Sequence, residues 1–537
     1  MVFQLCYKMC EERVKAFPES VDAQRNLSVS YERLGDLEQS AGNAVAAREW
    51  YEKALEIRKR LAEQMPDNVD FQRNLSISYN RLGDLEKAAG NAVAAREWYE
   101  KCLEISKRLA EKMPDDVTAQ RDLSISYNNL GDLEKAAGNA AAARERYEKG
   151  LEISKRLAEQ MKDDVQIQRD LSISYNNLGD LENDAGNAAA AREWYEKALK
   201  ISKRLADLMP KNVDAQRNLS LSYEHLGNWE KEAGNAAASR EWYEKTLEIF
   251  KRLAEQMPDN VQAQRDLSVS YNKLGDLERA AGNLAAAREW YEEALEIALR
   301  QAEKMPDDVT AQRDLSISYQ FIGDLEKAAG NAAAAREWYE KDLEISKLLA
   351  DMMPDDVDAQ RDLSVSYNKL GDLERAAGNL AAAREWYEKA LGIVLRQAEK
   401  MTDNVTAQRD LCSIYNNLAN LEIATNNAAA AKELSNKALQ ILEPLVEKAP
   451  HDVETQKVLG EVYRCLGDSE VASGNNKPAL EWYKKALEVF QRLVDKSPDN
   501  VEYKKALSET QEKIAQAKKQ PWYMKLIKRL TLFFRRG

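Results

Sequence analysis

Apolar residues in this chain recur at steps of three and four, the pattern of helices with one buried face. Over one stretch they are Ala23, Leu27, Tyr31, Leu34, Leu37 and Ala41; over the next they are Ala47, Tyr51, Ala54, Leu55 and Leu61. Two glycine landmarks frame the pattern. One follows a Leu or Ile at Gly35, Gly83, Gly131, Gly179, Gly227, Gly275, Gly323 and Gly371, gives way to Ala419, and returns at Gly467. The other runs from Gly42 and Gly90 to Gly474, with Asn426 as its exception. Both keep a step of 48 residues, so residues 20–499 read as ten 48-residue units, flanked by 1–19 and 500–537.

Each unit predicts two helices. The first follows an Asp or Asn, such as Asn68, Asp116 or Asp452, or Ser20 in the first unit. Such side chains accept a hydrogen bond from an orphan N–H of the first turn. Pro66 and most of its counterparts stand two residues earlier and stop the preceding helix. The first helix runs about 20 residues to the second glycine, a position that tolerates left-handed backbone. Asn43 and its counterparts to Asn475 are expected to cap the second helix. So short a connection forces the pair antiparallel. One pair cannot bury its own apolar face, so neighbouring units must stack to complete a core. Trp50–Tyr51 and Trp98–Tyr99 therefore read as core, not as a cofactor box.

Composition narrows the chemistry. Apolar residues are 44% and charged residues 31%, with 12 prolines, which suits long helices with enough apolar surface for a core. Only two histidines occur, His225 and His451, too few for multi-His metal sites and poor material for a Ser-His-Asp or Cys-His centre. Five cysteines are too few for a disulfide framework and suit a reducing compartment. Cys6 and Cys102 fall on the small position of Ala54 and read as buried thiols, while Cys6 and Cys10 together make only two ligands. No secretory leader pattern and no apolar run of membrane-spanning length are seen, so the cytoplasm is expected. No Gly-rich phosphate loop and no paired-carboxylate site is visible, so no catalysis and no cofactor are expected. The net charge of −13 argues against a nucleic-acid partner.

Tyr31-Glu-Arg-Leu34-Gly35, then Gly42, Ala47, Tyr51 and Ala54, resembles in order and spacing the signature of the tetratricopeptide repeat family. The likeness recurs ten times and covers about nine-tenths of the chain. Two features depart from it. Glu38 stands where the family usually has an aromatic residue, and the unit is 14 residues longer than the family's usual 34. Long repeats of this kind are similar to those of bacterial interaction proteins. The resemblance implies an all-α solenoid, a right-handed superhelix with first helices lining the concave side, that binds peptides or proteins without catalysis.

Opposite the core face of the first helix lie four ladders. The position of Arg25 repeats as Arg73, Arg121, Arg169 and onward to Arg409. The position of Val29 repeats as Ile77, Ile125, Ile173, Leu221, Val269, Ile317 and Val365. Position 32 becomes Asn80, Asn128, Asn176, Asn272, Asn368 and Asn416, and position 36 repeats as Asp84, Asp132, Asp180 and Asp276, broken by Asn228. A β-branched residue on the wrong side of an amphipathic helix has two readings: packing between neighbouring long helices, or a groove offering apolar contact. In the second, asparagine amides could hold an extended peptide backbone. The Asp ladder equally fits inter-repeat charge pairing. Phe321 and His225 replace Arg33, Arg81, Asn129 or Lys273 beside the stripe, and Phe321 is the candidate anchor. Residues 264–311 and 360–407 differ at only five positions, so the inner surface is periodic. It suits an extended or repetitive partner, or stacking with another copy of the chain.

The ends and the ninth unit differ. Residues 1–19 align with a second helix and read as an N-terminal half-repeat; 500–520, opened by Asn500, read as a C-terminal capping helix. The ninth unit carries Ala419, Asn426, Leu434 and Ser435 in landmark places, and Pro444 is expected to kink its second helix. Residues 521–537 form a basic amphipathic tail, with ten Lys/Arg against two Glu over 504–537. Trp522, Phe533 and Phe534 with Lys525, Lys528, Arg529, Arg535 and Arg536 suit an anionic membrane surface. Docking on the acidic body and binding a partner are the alternatives. The favoured function is a protein- or peptide-binding scaffold, with self-association into oligomers or filaments as the second reading.

Overall fold

The computed structural model describes residues 2–40, 43–448, 452–498 and 500–518. Gly42, His451 and the tail from Trp522 to Arg536 lie outside the described residues. Within them the chain is helical, with 22 helices and no strand. A helix α1 (Val2–Ala16) precedes ten pairs. The first five pairs are α2 (Val21–Ser40) with α3 (Ala44–Gln64), α4 (Val69–Ala88) with α5 (Ala92–Lys112), α6 (Val117–Ala136) with α7 (Ala140–Gln160), α8 (Val165–Asp184) with α9 (Ala188–Leu208), and α10 (Val213–Glu232) with α11 (Ala236–Gln256). The next five are α12 (Val261–Ala280) with α13 (Leu284–Lys304), α14 (Val309–Ala328) with α15 (Ala332–Met352), α16 (Val357–Ala376) with α17 (Leu380–Lys400), α18 (Val405–Ala424) with α19 (Ala428–Lys448), and α20 (Val453–Ala472) with α21 (Asn476–Lys496). Helix α22 (Val501–Lys518) packs on α21.

The start signals act as the sequence predicts for the first helices. Asn68 accepts from the Phe71 N–H at 3.1 Å, and Asp116 from the Ala119 N–H at 2.7 Å. The asparagine before most second helices does something else; Asn427 alone among those described also accepts from its helix, from the Ala430 N–H at 3.4 Å. Asn91 makes no capping bond to α5; its Nδ2 donates to Glu86 Oε2 at 2.7 Å. Asn139–Glu134, Asn235–Glu230 and Asn379–Glu374 repeat the contact. The asparagine sits at the capping position but ties the end of the first helix across the turn. Gln72 Nε2 donates to the Ala62 carbonyl at 3.0 Å and closes the opposite turn, as Gln120 does with Ala110. These bonds satisfy carbonyls that the end of a helix leaves without partners.

Each helix packs on its neighbours in sequence, and the core crosses every unit boundary. One cluster joins Tyr99 of α5, Tyr127 of α6, Tyr147 of α7 and Leu171 of α8. Outside the ninth unit, the tyrosine of each second helix is buried against the glycine of its own first helix: a Cβ on Gly131 would lie 2.5 Å from the Tyr147 ring. The glycine is therefore required by close approach. The tryptophan beside it stacks on the first-helix tyrosine, as Trp98 does on Tyr79 with centroids 5.6 Å apart. First helices of successive units also touch one another, α6 with α8 and α8 with α10, which places them on the inside of the curve.

The ninth unit keeps its helices. Helix α19 runs past Pro444 to Lys448, so the proline, in the last turns, does not end the helix there. Asn426 holds the left-handed turn at φ +60° that glycine fills elsewhere. Helix α18 packs more extensively on α20 than other first helices do on theirs, with Ala419, Ala431 and Cys465 filling the contact.

The superhelix is tight enough to touch itself. Ser497 Oγ donates to the Glu232 carbonyl at 3.1 Å, across 265 residues. A Cβ on Gly234 would lie 2.6 Å from Pro498 Cδ, and one on Gly90 would lie 2.0 Å from Met401 Sδ. Turns that follow first helices in the early units thus receive turns that follow second helices in the late units.

Candidate functional site

The four ladders share the inner side of the coil, but they are not equally available. The arginines are spent on the next unit. Arg73 Nε donates to Asp122 Oδ2 at 2.6 Å and Nη2 to Oδ1 at 3.4 Å. Arg217 with Asp266, Arg265 with Asp314 and Arg361 with Asp410 repeat this two-pronged geometry, and Arg121 pairs with Asp170. Planar guanidinium matches carboxylate bidentately, so each pair fixes the spacing of adjacent first helices. Arg169 breaks the series. The residue in the aspartate's place is Asn218, and Arg169 has no ion-pair partner among the described residues.

The aspartates are also committed. The buried tyrosine hydroxyls donate to them: Tyr99 to Asp84 at 2.8 Å, Tyr147 to Asp132 at 2.8 Å and Tyr195 to Asp180 at 2.7 Å. A cation from the following unit joins several of them, as Lys369 does with Asp324 at 2.7 Å, and the His225 ring lies 3.6 Å from Asp180. The neighbouring carboxylates and burial push the tyrosine pKa values far up, burial being the larger cause.

The asparagines are where the helical wheel placed residues too far inward. Asn176 and Asn416 are buried, and the Oδ1 atoms of Asn128, Asn176, Asn272 and Asn416 are buried without a hydrogen-bond partner. A Cβ on Gly150 would lie 2.6 Å from Asn128 Oδ1, so this amide points into the seam between its own two helices. Asn80 is half-buried, donates to Asp84 and accepts from Asn129 of the next unit; Asn368 accepts from Asn417 in the same way. Asn176 is thus unable to hold a ligand's backbone, because helix–helix packing has turned its ladder inward from the open face.

Phe321 is half-buried and stacks on Tyr291 of the preceding unit, with centroids 5.1 Å apart and planes 8° apart. His225 stacks on Tyr195 in the same place. Lysine or arginine there lies over the same ring or beside its aspartate, as Lys273 over Tyr243 and Arg81 by Asp36. Position 33 is therefore a lid on the buried tyrosine, which only packing reveals.

The apolar ladder stays open. Val29 and Ile173 are 40% exposed and Val269 39%; Ile77 and Ile125 are half-buried on the same line. A cavity of about 1430 Å³ opens between the two turns, bounded by Asp132, Asp180, Lys231 and Arg279 on one side and Arg409 and Tyr503 on the other. Among the described residues no cluster of three His, Cys, Asp or Glu could hold a metal. No described helix is long and apolar enough to cross a membrane.

Sequence reasoning missed one constellation. Glu38, noted as a departure from the family pattern, repeats as Glu86, Glu134, Glu182, Glu230, Glu278, Glu326, Glu374, Glu422 and Glu470, all buried except in the first unit. Each of these glutamates takes the asparagine of its own turn, and most take a cation from the second helix of the preceding unit. Arg48 reaches Glu86 at 2.5 Å, Arg144 reaches Glu182 at 2.7 Å and Arg336 reaches Glu374 at 2.7 Å. The signal was present in the recurrence of Arg48 at every step down to Arg384, with Lys432 after it.

Stacked antiparallel pairs, an inter-unit core and an open inner stripe define an α-solenoid of the kind that serves as a protein-interaction scaffold. Models of the tetratricopeptide repeat match residues 26–108, 74–156, 170–252 and 266–347, and another matches 363–396; a Sel1 repeat model matches 459–488. The chain belongs to the tetratricopeptide repeat family. Among solved structures, BtubC (BKLC) from P. vanneervenii is similar at 23% identity and TM-score 0.37, over 49% of this chain and 91% of that one. Yeast Tom70 is similar at 13% and 0.34, over 93% and 99%, and a human IFIT1 dimer with m7Gppp-AAAA at 14% and 0.33, over 81% and 94%. No curated protein matches the chain.

Proposed function

We propose that the chain is a non-catalytic scaffold that holds an extended protein segment along the inner face of its first helices. One observation carries this reading. The aspartate ladder and most of the arginines are paired, asparagines are turned into helix seams, and of the four ladders the line through Ile77, Ile125 and Ile173 keeps apolar surface open. Leaving β-branched side chains exposed has a cost in water that a bound apolar segment removes. Arg169, beside Ile173 in the next helical turn back, supplies an uncommitted guanidinium for a carboxylate of that segment. Near-identical units repeat the same contact at each step, which suits an extended partner with apolar residues at intervals.

The test is a photo-crosslinking residue at position 125 or 173, compared with one at Glu193 on a second helix. Crosslinks from the inner positions, lost in Ile173→Glu and Arg169→Glu variants of unchanged helicity, support the reading. Crosslinks confined to the outer position overturn it. The tail residues Trp522 to Arg536 lend themselves to holding such a scaffold at an anionic membrane. Flotation with phosphatidylserine vesicles, with and without residues 521–537, tests that part separately.

A further inference from the structure

We propose that the open edges of the superhelix bind a second copy of this chain, head to tail, through the contact that the chain already makes between its own turns. This goes beyond the ligand reading of the inner face and uses different residues.

The internal contact has two sides. One is the turn after a first helix, Ala-Gly, seen at Gly90 and Gly234. The other is the turn after a second helix, Met-Pro or its variants, seen at Met401 and at Ser497-Pro498. First helices of the two turns thereby meet end to end. The carboxyl end of α10 reaches the turn that opens α22, and both line one cavity with the amino end of α20. Partial charges of opposite sign face each other there, which favours the contact. The Ser497 hydroxyl satisfies a carbonyl of the last turn of α10, at Glu232.

Burial marks which edges are used. Met353 and Met401 are 5% exposed and Ser497 8%, whereas their counterparts Met65, Met113, Met161, Met209, Met257 and Met305 are only half-buried. On the receiving side Ala89, Ala137, Ala185 and Ala233 are half-buried, whereas Ala281, Ala329 and Ala377 are exposed. Among the described residues a Cβ on Gly282, Gly330 or Gly378 would meet nothing within 4 Å. Among the described residues the late units thus present an uncovered receiving edge, and the early units present the uncovered complement.

The two free edges carry the same residues as the joined ones. Ala281-Gly282 repeats Ala89-Gly90, and Met65-Pro66 combines the methionine of Met401 with the proline of Pro498. A surface that binds in one place along a near-identical repeat binds wherever the same two edges are brought together. Among the described residues the pairing stops where Ser497-Pro498 meets Gly234. A second copy set coaxially, its early turns on the Ala281, Ala329 and Ala377 edge, continues it with no new kind of contact. Because the two edges differ, the contact is heterologous and leaves one of each free, so growth is open-ended rather than closed at a dimer.

Sedimentation velocity over a concentration series, with negative-stain imaging, tests this on the full chain without ligand. The wild type is expected to form a ladder of species that lengthens with concentration and appears as coaxial stacks. The triple variant Ala281→Arg, Ala329→Arg, Ala377→Arg places bulk and positive charge where helix amino ends would arrive, at exposed positions next to helix carboxyl ends that tolerate cations. It should stay monomeric wherever the wild type assembles, with unchanged circular dichroism. Gly330→Asn, which keeps a left-handed turn as Asn426 does, should shorten the ladder in the same direction. A wild type that stays monomeric up to its solubility limit, assemblies that survive the triple substitution, or assembly that stops at a two-fold dimer would overturn the proposal.

Discussion

At the scale of single residues, the departures from the repeat are where the chemistry concentrates. Asp342 is the sharpest. It stands in the small position held by Ala198, Ala294 and Ala390, and it is fully buried. Ser316 Oγ donates to its Oδ1 at 2.5 Å and Gln320 Nε2 at 3.0 Å, but Oδ2 is buried without a partner. Burial pushes this carboxyl above the usual aspartate range. The folded state therefore holds the proton more tightly than the unfolded chain, and the charged form weakens the fold at neutral pH. Asp342→Ala should raise the stability of its unit by about 1–2 kcal/mol at pH 7, the cost of a buried group left short of partners. That gain should shrink as pH falls toward the ordinary aspartate range, because the folded wild-type carboxyl takes up its proton above that range. Urea titrations at pH 7 and in that range measure both effects.

At the scale of the helix pair, the Glu38 ladder does two jobs in each unit. Glu134 holds the α6–α7 turn through Asn139 at 2.9 Å and is paired with Arg96 of the preceding unit. The Arg96 guanidinium draws its carboxyl below the usual glutamate range, as Arg144 does for Glu182 and Arg336 for Glu374. A depressed folded pKa means that this stability is complete above the ordinary glutamate range and is lost as pH falls through the lowered value. Glu134→Gln keeps a hydrogen-bonding side chain and removes the charge. It should cost about 1–2 kcal/mol at pH 7, since a charge-assisted bond to a buried group is lost. The difference from wild type should narrow below pH 4, read by thermal unfolding at each pH. The helices themselves were legible from residue spacing, because their caps and apolar phase are local properties. The staple was not, because it joins side chains 38 residues apart, and only stacking brings Arg96 to Glu134.

At the scale of the whole molecule, the turns of the coil touch at a few places, Gly90 with Met401 among them. Gly90→Asn isolates that contact. Asparagine tolerates the left-handed turn, as Asn426 shows at φ +60°, but its side chain must enter the space of Met401 and Val357. Small-angle scattering at dilution should show a larger radius of gyration with helicity unchanged. Gly330→Asn, with nothing within 4 Å, should leave the radius unaltered. Equal expansion in both variants would show that the turn itself, and not the distant contact, governs the shape. The inner face carries the same lesson: its apolar ladder followed from the helical wheel, while the inward turn of Asn176 and the lid role of Phe321 depended on the neighbouring helix.

The sequence by itself determined the number, length and pairing of the helices, the ten-fold stacking and the membership of the repeat family. Each of these rests on interactions within about 48 residues, and the repeat states them ten times. Tertiary structure alone decided which ladders remain open and that residues 265 apart in the chain touch. Those outcomes accumulate from small rotations at every unit interface. No single repeat encodes them, because curvature and pitch are sums over the whole stack.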